Sequence, residues 1–214
     1  MDSDQSLVQQ SASGRREAFD ELVVRYRRRV YNLVRALTGG DSDAEDLVQD
    51  VFIRAYRAIG SFRGDSAFRS WLYRIAINVA HTHIHRRRVR DTVLVAPADG
   101  EPVEGTAAGE DVEETLVKRQ IIDRALAALP EELRVLVVLR DVQGLKYEEI
   151  AEVVKTPRGT VESRLFRARQ RLRPMLESLI VARPSDVVGT PPQPDVIAEA
   201  NGCASAVSAD DHDP

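Results

Sequence analysis

The sequence predicts an all-α chain of two small helical domains joined by a flexible acidic linker. Apolar residues recur at three- and four-residue steps in segment after segment, which is helical rather than strand periodicity. Only 5% of the 214 residues are aromatic and 30% are charged, a composition that suits several modest cores better than one large one. Around residues 91 to 115 the periodicity stops, and Pro97, Gly100, Pro102, Gly105 and Gly109 stand among acidic and small residues.

Taken in order, Phe19, Leu22, Val23, Tyr26, Val30, Leu33, Val34 and Leu37 form the stripe of a first helix that Gly39 and Gly40 end. Ser42 with Glu45 has the pattern of a capping box. It opens a second stripe of Ala44, Leu47, Val48, Val51, Phe52, Ala55, Tyr56 and Ile59, stopped by Gly60. A third helix begins near Ser66, with Phe68, Trp71, Leu72, Ile75, Ala76 and Val79 on one face. Residues 15–90 therefore read as one three-helix unit. The linker 91–115 carries Asp91, Asp99, Glu101, Glu104, Glu110, Asp111, Glu113 and Glu114 and no Lys or Arg, and it should let the two units move independently. Residues 116–180 hold four helices with breaks at Pro130, at Gln143-Gly144 and at Thr156-Pro157. There Thr156 is the expected N-cap and Pro157 the first helical residue. From 181 to 214 prolines mix with acidic residues, and a disordered acidic tail is expected.

The formal net charge of -4 conceals segregation, because residues 155–173 carry seven basic side chains against Glu162 alone. The one cysteine, Cys203, rules out an intramolecular disulfide framework and a Cys-rich metal site, and it suits a reducing cytosol. No apolar run reaches the roughly 20 residues that span a bilayer. The N-terminus lacks the layout of a signal peptide, so a cytoplasmic chain without membrane insertion is expected. Neither GxSxG nor GxxxxGK occurs, and no cluster suggests a nucleophile or general base, so neither an enzyme nor a cofactor is expected. His81, His83 and His85 invite a metal reading, but no carboxylate or thiol stands at ligand spacing beside them, and no metal is expected.

Three surfaces remain as candidates. On the second helix Asp46, Gln49, Asp50 and Ile53 line up opposite the apolar stripe. That is either a solvated acidic face or an apolar anchor ringed by charge that attracts a basic partner. On the third, Arg74, Asn78, His81 and His85 form a polar stripe ending in Arg86, Arg87, Arg88 and Arg90. The preceding loop sets Phe62 beside Arg63, an arrangement able to hold an unstacked base. In the last helix Val161, Leu165, Ala168, Leu172 and Leu176 define the buried side. Arg158 and Thr160 lie at the leading end, and Ser163, Phe166 and Arg167 on the exposed face, as in a helix-turn-helix that reads the major groove.

The segments DAEDLVQDVFIRAYRAIGSFRGDSAF, WLYRIAINVA, LPEELRVLVVLRDVQGLKYEEIAEVV and GTVESRLFRARQRLR, in this order, resemble the sigma-70 family of bacterial RNA polymerase initiation factors. Within it they are similar to the compact extracytoplasmic-function group, of the sigma-E kind, over roughly residues 15 to 180. The resemblance implies a sigma region 2 at 15–90 and a sigma region 4 at 116–180. It implies core polymerase binding through Asp46, Gln49 and Asp50, with Ile53 of the same stripe. It also implies reading and melting of the minus-ten element by Phe62, Arg63, Arg74 and Asn78. Reading of the minus-thirty-five element falls to Ser163, Phe166 and Arg167, with Arg158 and Thr160 at the helix start. Core RNA polymerase, promoter DNA and an anti-sigma factor are the implied partners. Glu162 stands where related proteins often have a basic residue, which bears on the upstream consensus. The alternative is a helix-turn-helix regulator that binds duplex DNA without polymerase.

Overall fold

Eight α-helices and no strand build the described part of the chain, residues 3–40, 42–93 and 110–181 of a computed structural model. Helix α1 spans Asp4–Ala12, α2 Arg16–Thr38 and α3 Ala44–Ala58, which runs into a 3-10 turn at Ile59–Ser61. Helix α4 spans Phe68–Val93, α5 Glu110–Ala127, and α6 Glu131–Val137, which passes into a π-helical turn at Val138–Val142. Helix α7 spans Tyr147–Val154 and α8 Arg158–Val181.

The helical class, and α2, α3 and α8 as elements, agree with the apolar stripes. Helix α1 was not expected, and it gives the first unit four helices rather than three. Its nine residues bury only Leu7, Val8 and Ser11, too few for a period to emerge. It is fixed instead by the Ser3 hydroxyl, which accepts from the Ser6 N–H at 3.2 Å, and by Asp4, which takes hydrogen bonds from Arg25 at 2.6 Å and from the Tyr26 hydroxyl. The expected linker is helical at both ends, since α4 continues to Val93 and α5 already begins at Glu110. Its centre, residues 94–109, and the expected tail from residue 182 onward, Cys203 included, lie outside the described residues.

Two caps differ from expectation by one residue. Asp43, not Ser42, precedes α3, and its side chain makes no capping bond. At α8 the Pro157 carbonyl accepts from Thr160 at 2.9 Å and Val161 at 3.1 Å, so Pro157 is itself the cap residue. The Thr156 hydroxyl turns back to donate to the Val154 carbonyl at 3.2 Å. Between α7 and α8, Lys155 takes the left-handed conformation (φ 51) and closes α7 with its N–H on the Ala151 carbonyl.

The two units do not stand apart. Helix α2 packs against the π-helical turn, α5 and α6, and α4 packs against α7, so the buried apolar residues of both units form one continuous core. Polar bonds span the junction. The Arg134 guanidinium, only 8% exposed, donates to the Leu37 carbonyl at 2.8 Å and, within its own unit, to the carbonyls of Ala127 and Leu129 at 2.7 and 3.1 Å. Tyr73 donates to Gln143 Oε1 at 2.8 Å, while Gln143 Nε2 donates to the Arg29 carbonyl at 3.1 Å. Arg35 pairs with Asp123 and Arg69 with Glu149. This explains why the third helix was misjudged: Tyr73 is fully buried while Trp71 and Ile75 are only half-buried, because α4 is covered on a second side by α7.

Candidate nucleic-acid and partner interfaces

On α3 the core face of Val48, Val51, Phe52 and Ala55 turns Asp46, Gln49 and Ile53 outward, and Ile53 remains 48% exposed despite its apolar side chain. A groove of about 470 Å³ runs between α2 and α3 past Val23, Arg27, Tyr31, Gln49, Phe52 and Ile53. Asp50 is half-buried and engaged by Arg54 one turn on, at 2.8 and 3.0 Å, so its charge is shared within the helix. The sequence contained this pair at the right spacing, but the stripe was read without it. Val24, 76% exposed on α2, is a second apolar side chain on the surface that the periodicity did not single out.

The loop between α3 and α4 turns through Gly64, whose φ of 77 favours a residue without Cβ. Phe62, Arg63, Gly64 and Asp65 line a cleft of about 380 Å³ with Trp71 and Arg74, and Glu152 of α7 stands on its edge. Phe62 is half-buried, with its ring 5.2 Å from Trp71 and 6.1 Å from Phe68, while Phe68 itself belongs to the core. Spacing sets Trp71 on the apolar face of the third helix; only half-buried, it lines the cleft beside Phe62, an aromatic that sequence reasoning missed.

Arg74, Asn78 and His81 are brought together, but along a second cleft of about 380 Å³ whose other wall is the second unit, including Lys155, Thr156 and Arg164. Asn78 is exposed. Arg74 reaches the Glu152 carbonyl at 3.4 Å, and its Nε is buried without a hydrogen-bond partner. Nearby, Glu149 accepts from the Lys146 N–H at 2.7 Å and from Arg69. Burial alone would raise its carboxyl, and these donors outweigh that and hold it below the usual carboxylate range. His81 lies 3.2 Å from Glu131 and His83 3.2 Å from Asp43, two separate carboxylates on different elements. Among the described residues no group of three or more His, Cys, Asp or Glu side chains converges as a metal site would require.

On α8, Val161, Leu165, Ala168 and Leu172 are buried as expected, and Ser163, Phe166 and Arg167 are exposed, with Phe166 64% accessible. Thr160 is half-buried, and its carbonyl accepts from the Ser163 hydroxyl at 3.1 Å. Arg158 is held between two carboxylates, its Nε donating to Glu162 at 2.8 Å and its Nη1 lying 2.6 Å from Glu148. The bond to Glu162 and the charge of Glu148 push its pKa further up. Glu162 is thus the partner of Arg158 one turn away. Glu148, on α7, could not have been placed there from periodicity. Arg169 and Arg173 are engaged by Asp141 at 2.7 Å and Glu177 at 3.0 Å. Among the described residues no helix is long and apolar enough to cross a membrane.

Residues 22–90 match the family model of Sigma-70 region 2, and residues 119–172 match that of Sigma-70, region 4. The chain is 41% identical over 187 residues to the RNA polymerase sigma-H factor of Pseudomonas aeruginosa, covering 84% of this chain and 96% of that protein. It is 43% identical over 186 residues to the ECF RNA polymerase sigma-E factor of Escherichia coli, covering 83% of this chain and 96% of that one. Among solved structures, CnrH in complex with the cytosolic domain of CnrY superimposes with a TM-score of 0.64 at 28% identity, over 83% of this chain and 99% of the other. The sigma factor RpoE of Bartonella quintana, in complex with the anti-sigma factor NepR, gives 0.60 at 26% identity, over 77% and 98%.

Proposed function

The chain belongs to the extracytoplasmic-function group of the sigma-70 family, and from that premise we propose that the three surfaces divide the work of promoter recognition. It binds core RNA polymerase and directs promoter-specific transcription initiation. Its contribution is binding work: polymerase holds the two regions at promoter spacing, and contacts to the separated strand favour the melted state. An anti-sigma factor is a further partner, by likeness to the RpoE complex.

Asp46, Gln49, Asp50 and Ile53 form the polymerase-facing surface, an apolar anchor beside acidic groups with the α2–α3 groove at its side. Phe62, Arg63, Arg74 and Asn78 serve the minus-ten element: the cleft offers aromatic faces for an extruded base, and the arginines offer donors for the backbone. Ser163, Phe166 and Arg167 read the minus-thirty-five element as duplex, while Arg158 and Thr160 sit at the helix start. The observation that carries this reading is Phe166, a large apolar side chain left exposed between Ser163 and Arg167 on a basic helix, where a thymine methyl can cover it.

Arg167→Ala is expected to cost about 1–3 kcal/mol of upstream binding and to relax preference at one position. A randomised upstream element scored by transcription measures this, and an unchanged preference profile removes Arg167 from the reader. Asn78→Ala should spare closed-complex formation and reduce the open complex, again by about 1–3 kcal/mol if it bonds a base. Permanganate reactivity of promoter thymines in a saturated polymerase complex tests it; undiminished reactivity excludes that role. A regulator acting alone would bind duplex promoter DNA tightly and ignore polymerase. Recovery of the chain with purified core polymerase, and weak duplex binding without it, separates the two functions.

A further inference from the structure

We propose that Asp4 of α1 is a positioning residue for strand capture: through the Tyr26 hydroxyl and the Phe68 ring it fixes Phe62 and Trp71 where an unstacked base meets them. This role rests on the assignment of the Phe62 cleft to the minus-ten element and names a residue that serves it from outside.

The loop that carries Phe62 is tied to α1 at both ends. It enters from the 3-10 turn at Ile59–Ser61, against which α1 packs, and Leu7 and Val8 of α1 share one core with Ile59. The Phe62 N–H donates to the Ile59 carbonyl at 3.1 Å, which anchors the main chain at Phe62 to that turn. The loop leaves through Phe68, the first residue of α4, whose ring meets Tyr26 in an edge arrangement at 5.4 Å. Phe68 in turn stands 6.1 Å from Phe62 and 5.6 Å from Trp71. Those two rings are 5.2 Å apart, inclined at 58°, and both line the cleft.

Tyr26 is only 3% exposed, and a phenylalanine would fill that space without needing a partner. Its hydroxyl needs an acceptor there, and the acceptor comes from another helix: Asp4, which Arg25 also engages at 2.6 Å. Burial, and then the Asp4 carboxylate, push the pKa of the hydroxyl up, so it stays a donor at physiological pH. Apolar contact between rings is non-directional, whereas a hydrogen bond weakens steeply with angle. The carboxylate therefore orients Tyr26, and through it the ring on which Phe62 and Trp71 rest. A stacking platform held ready in this way captures a base without first being ordered, which raises affinity. Among the described residues none of α1 lines the cleft, so Asp4 acts through Tyr26 and not on the strand.

The test uses the full chain with Asp4→Ala, Asp4→Asn, Tyr26→Phe, and Asp4→Ala combined with Tyr26→Phe. Uptake of short random-sequence single-stranded DNA by the chain bound to core polymerase reports the cleft, with core affinity measured alongside. Acrylamide quenching of Trp71 fluorescence in the free chain reports the ring itself, since Trp71 is the only tryptophan. Asp4→Ala and Tyr26→Phe should each lower strand uptake about tenfold and raise Trp71 quenching, while core affinity stays within about twofold of the parent. The double variant should lose no more than either single one, because both break the same link. Asp4→Asn keeps an acceptor for the hydroxyl and should recover most of the uptake. Parent-like uptake by Asp4→Ala overturns the proposal, as do unchanged Trp71 quenching, core affinity that falls as far as uptake, losses that add in the double variant, or Asp4→Asn no better than Asp4→Ala. Tyr26→Phe keeps the ring and removes only the donor, so it decides the question even if Asp4→Ala fails to fold. If the parent bound to core polymerase takes up the strands no better than core alone, the minus-ten assignment fails and the positioning role with it. If that uptake is present and every variant keeps it, only the role of Asp4 fails.

Discussion

A chain carrying Asp46→Arg and Asp50→Arg should lose core polymerase in competition with the unaltered chain, by at least about 2 kcal/mol, or roughly thirtyfold. The expectation follows from charge reversal on the outward side of α3, which leaves Ile53 exposed beside acidic groups and which the proposed function sets against a basic partner. Asp50 adds a second effect. It now shares its charge with Arg54, and an arginine in its place sets two like charges one turn apart. Neither substitution reaches the core face of α3, so helix content should hold within the small range typical of surface changes. Normal competition by a well-folded double variant would place the polymerase contact elsewhere.

The largest expected effect on stability lies at Arg134. Its guanidinium is buried, makes three main-chain bonds, and has its pKa pushed down by burial, so the charge is held there at a desolvation cost. Arg134→Met removes the donors and leaves the carbonyls of Leu37, Ala127 and Leu129 without them, which should cost about 3 kcal/mol. For a chain of this size that lowers the thermal midpoint by roughly 10 °C. Arg171→Ala, at an exposed position, should move it little. A midpoint for Arg134→Met within a degree or two of the parent would mean that the junction does not depend on this side chain.

The contrast between these residues also shows what was legible in the sequence. The outward faces of α3 and α8 followed from helical period alone, because each helix has one buried side and Phe166 and Ile53 depart from it visibly. Helix α4 has two covered sides, so a single stripe sets Trp71 on the apolar face and leaves out Tyr73, which the structure buries fully. The junction could not be read in advance, because Arg134 with Leu37, Tyr73 with Gln143 and Arg69 with Glu149 join residues far apart in the chain, and no local spacing encodes such pairs. The pairs Asp50–Arg54 and Arg158–Glu162 stand at local spacing and were open to inspection. Their consequence is that Glu162 is already engaged by Arg158, one turn away. Helix α1 depends on a local serine cap and on Asp4 meeting Arg25 and Tyr26, and the Asp4 contacts exist only once α2 is folded beside it.

The claim that this chain directs promoter-specific initiation is tested most directly by in-vitro transcription with purified core polymerase on a library of genomic promoters. Transcripts should appear only when the chain is added, and should start downstream of a shared minus-ten and minus-thirty-five pair at constrained spacing. Arg167→Ala should relax the upstream element alone. The contradicting result is core polymerase whose start sites are unchanged by the chain while the chain alone binds duplex promoter DNA tightly.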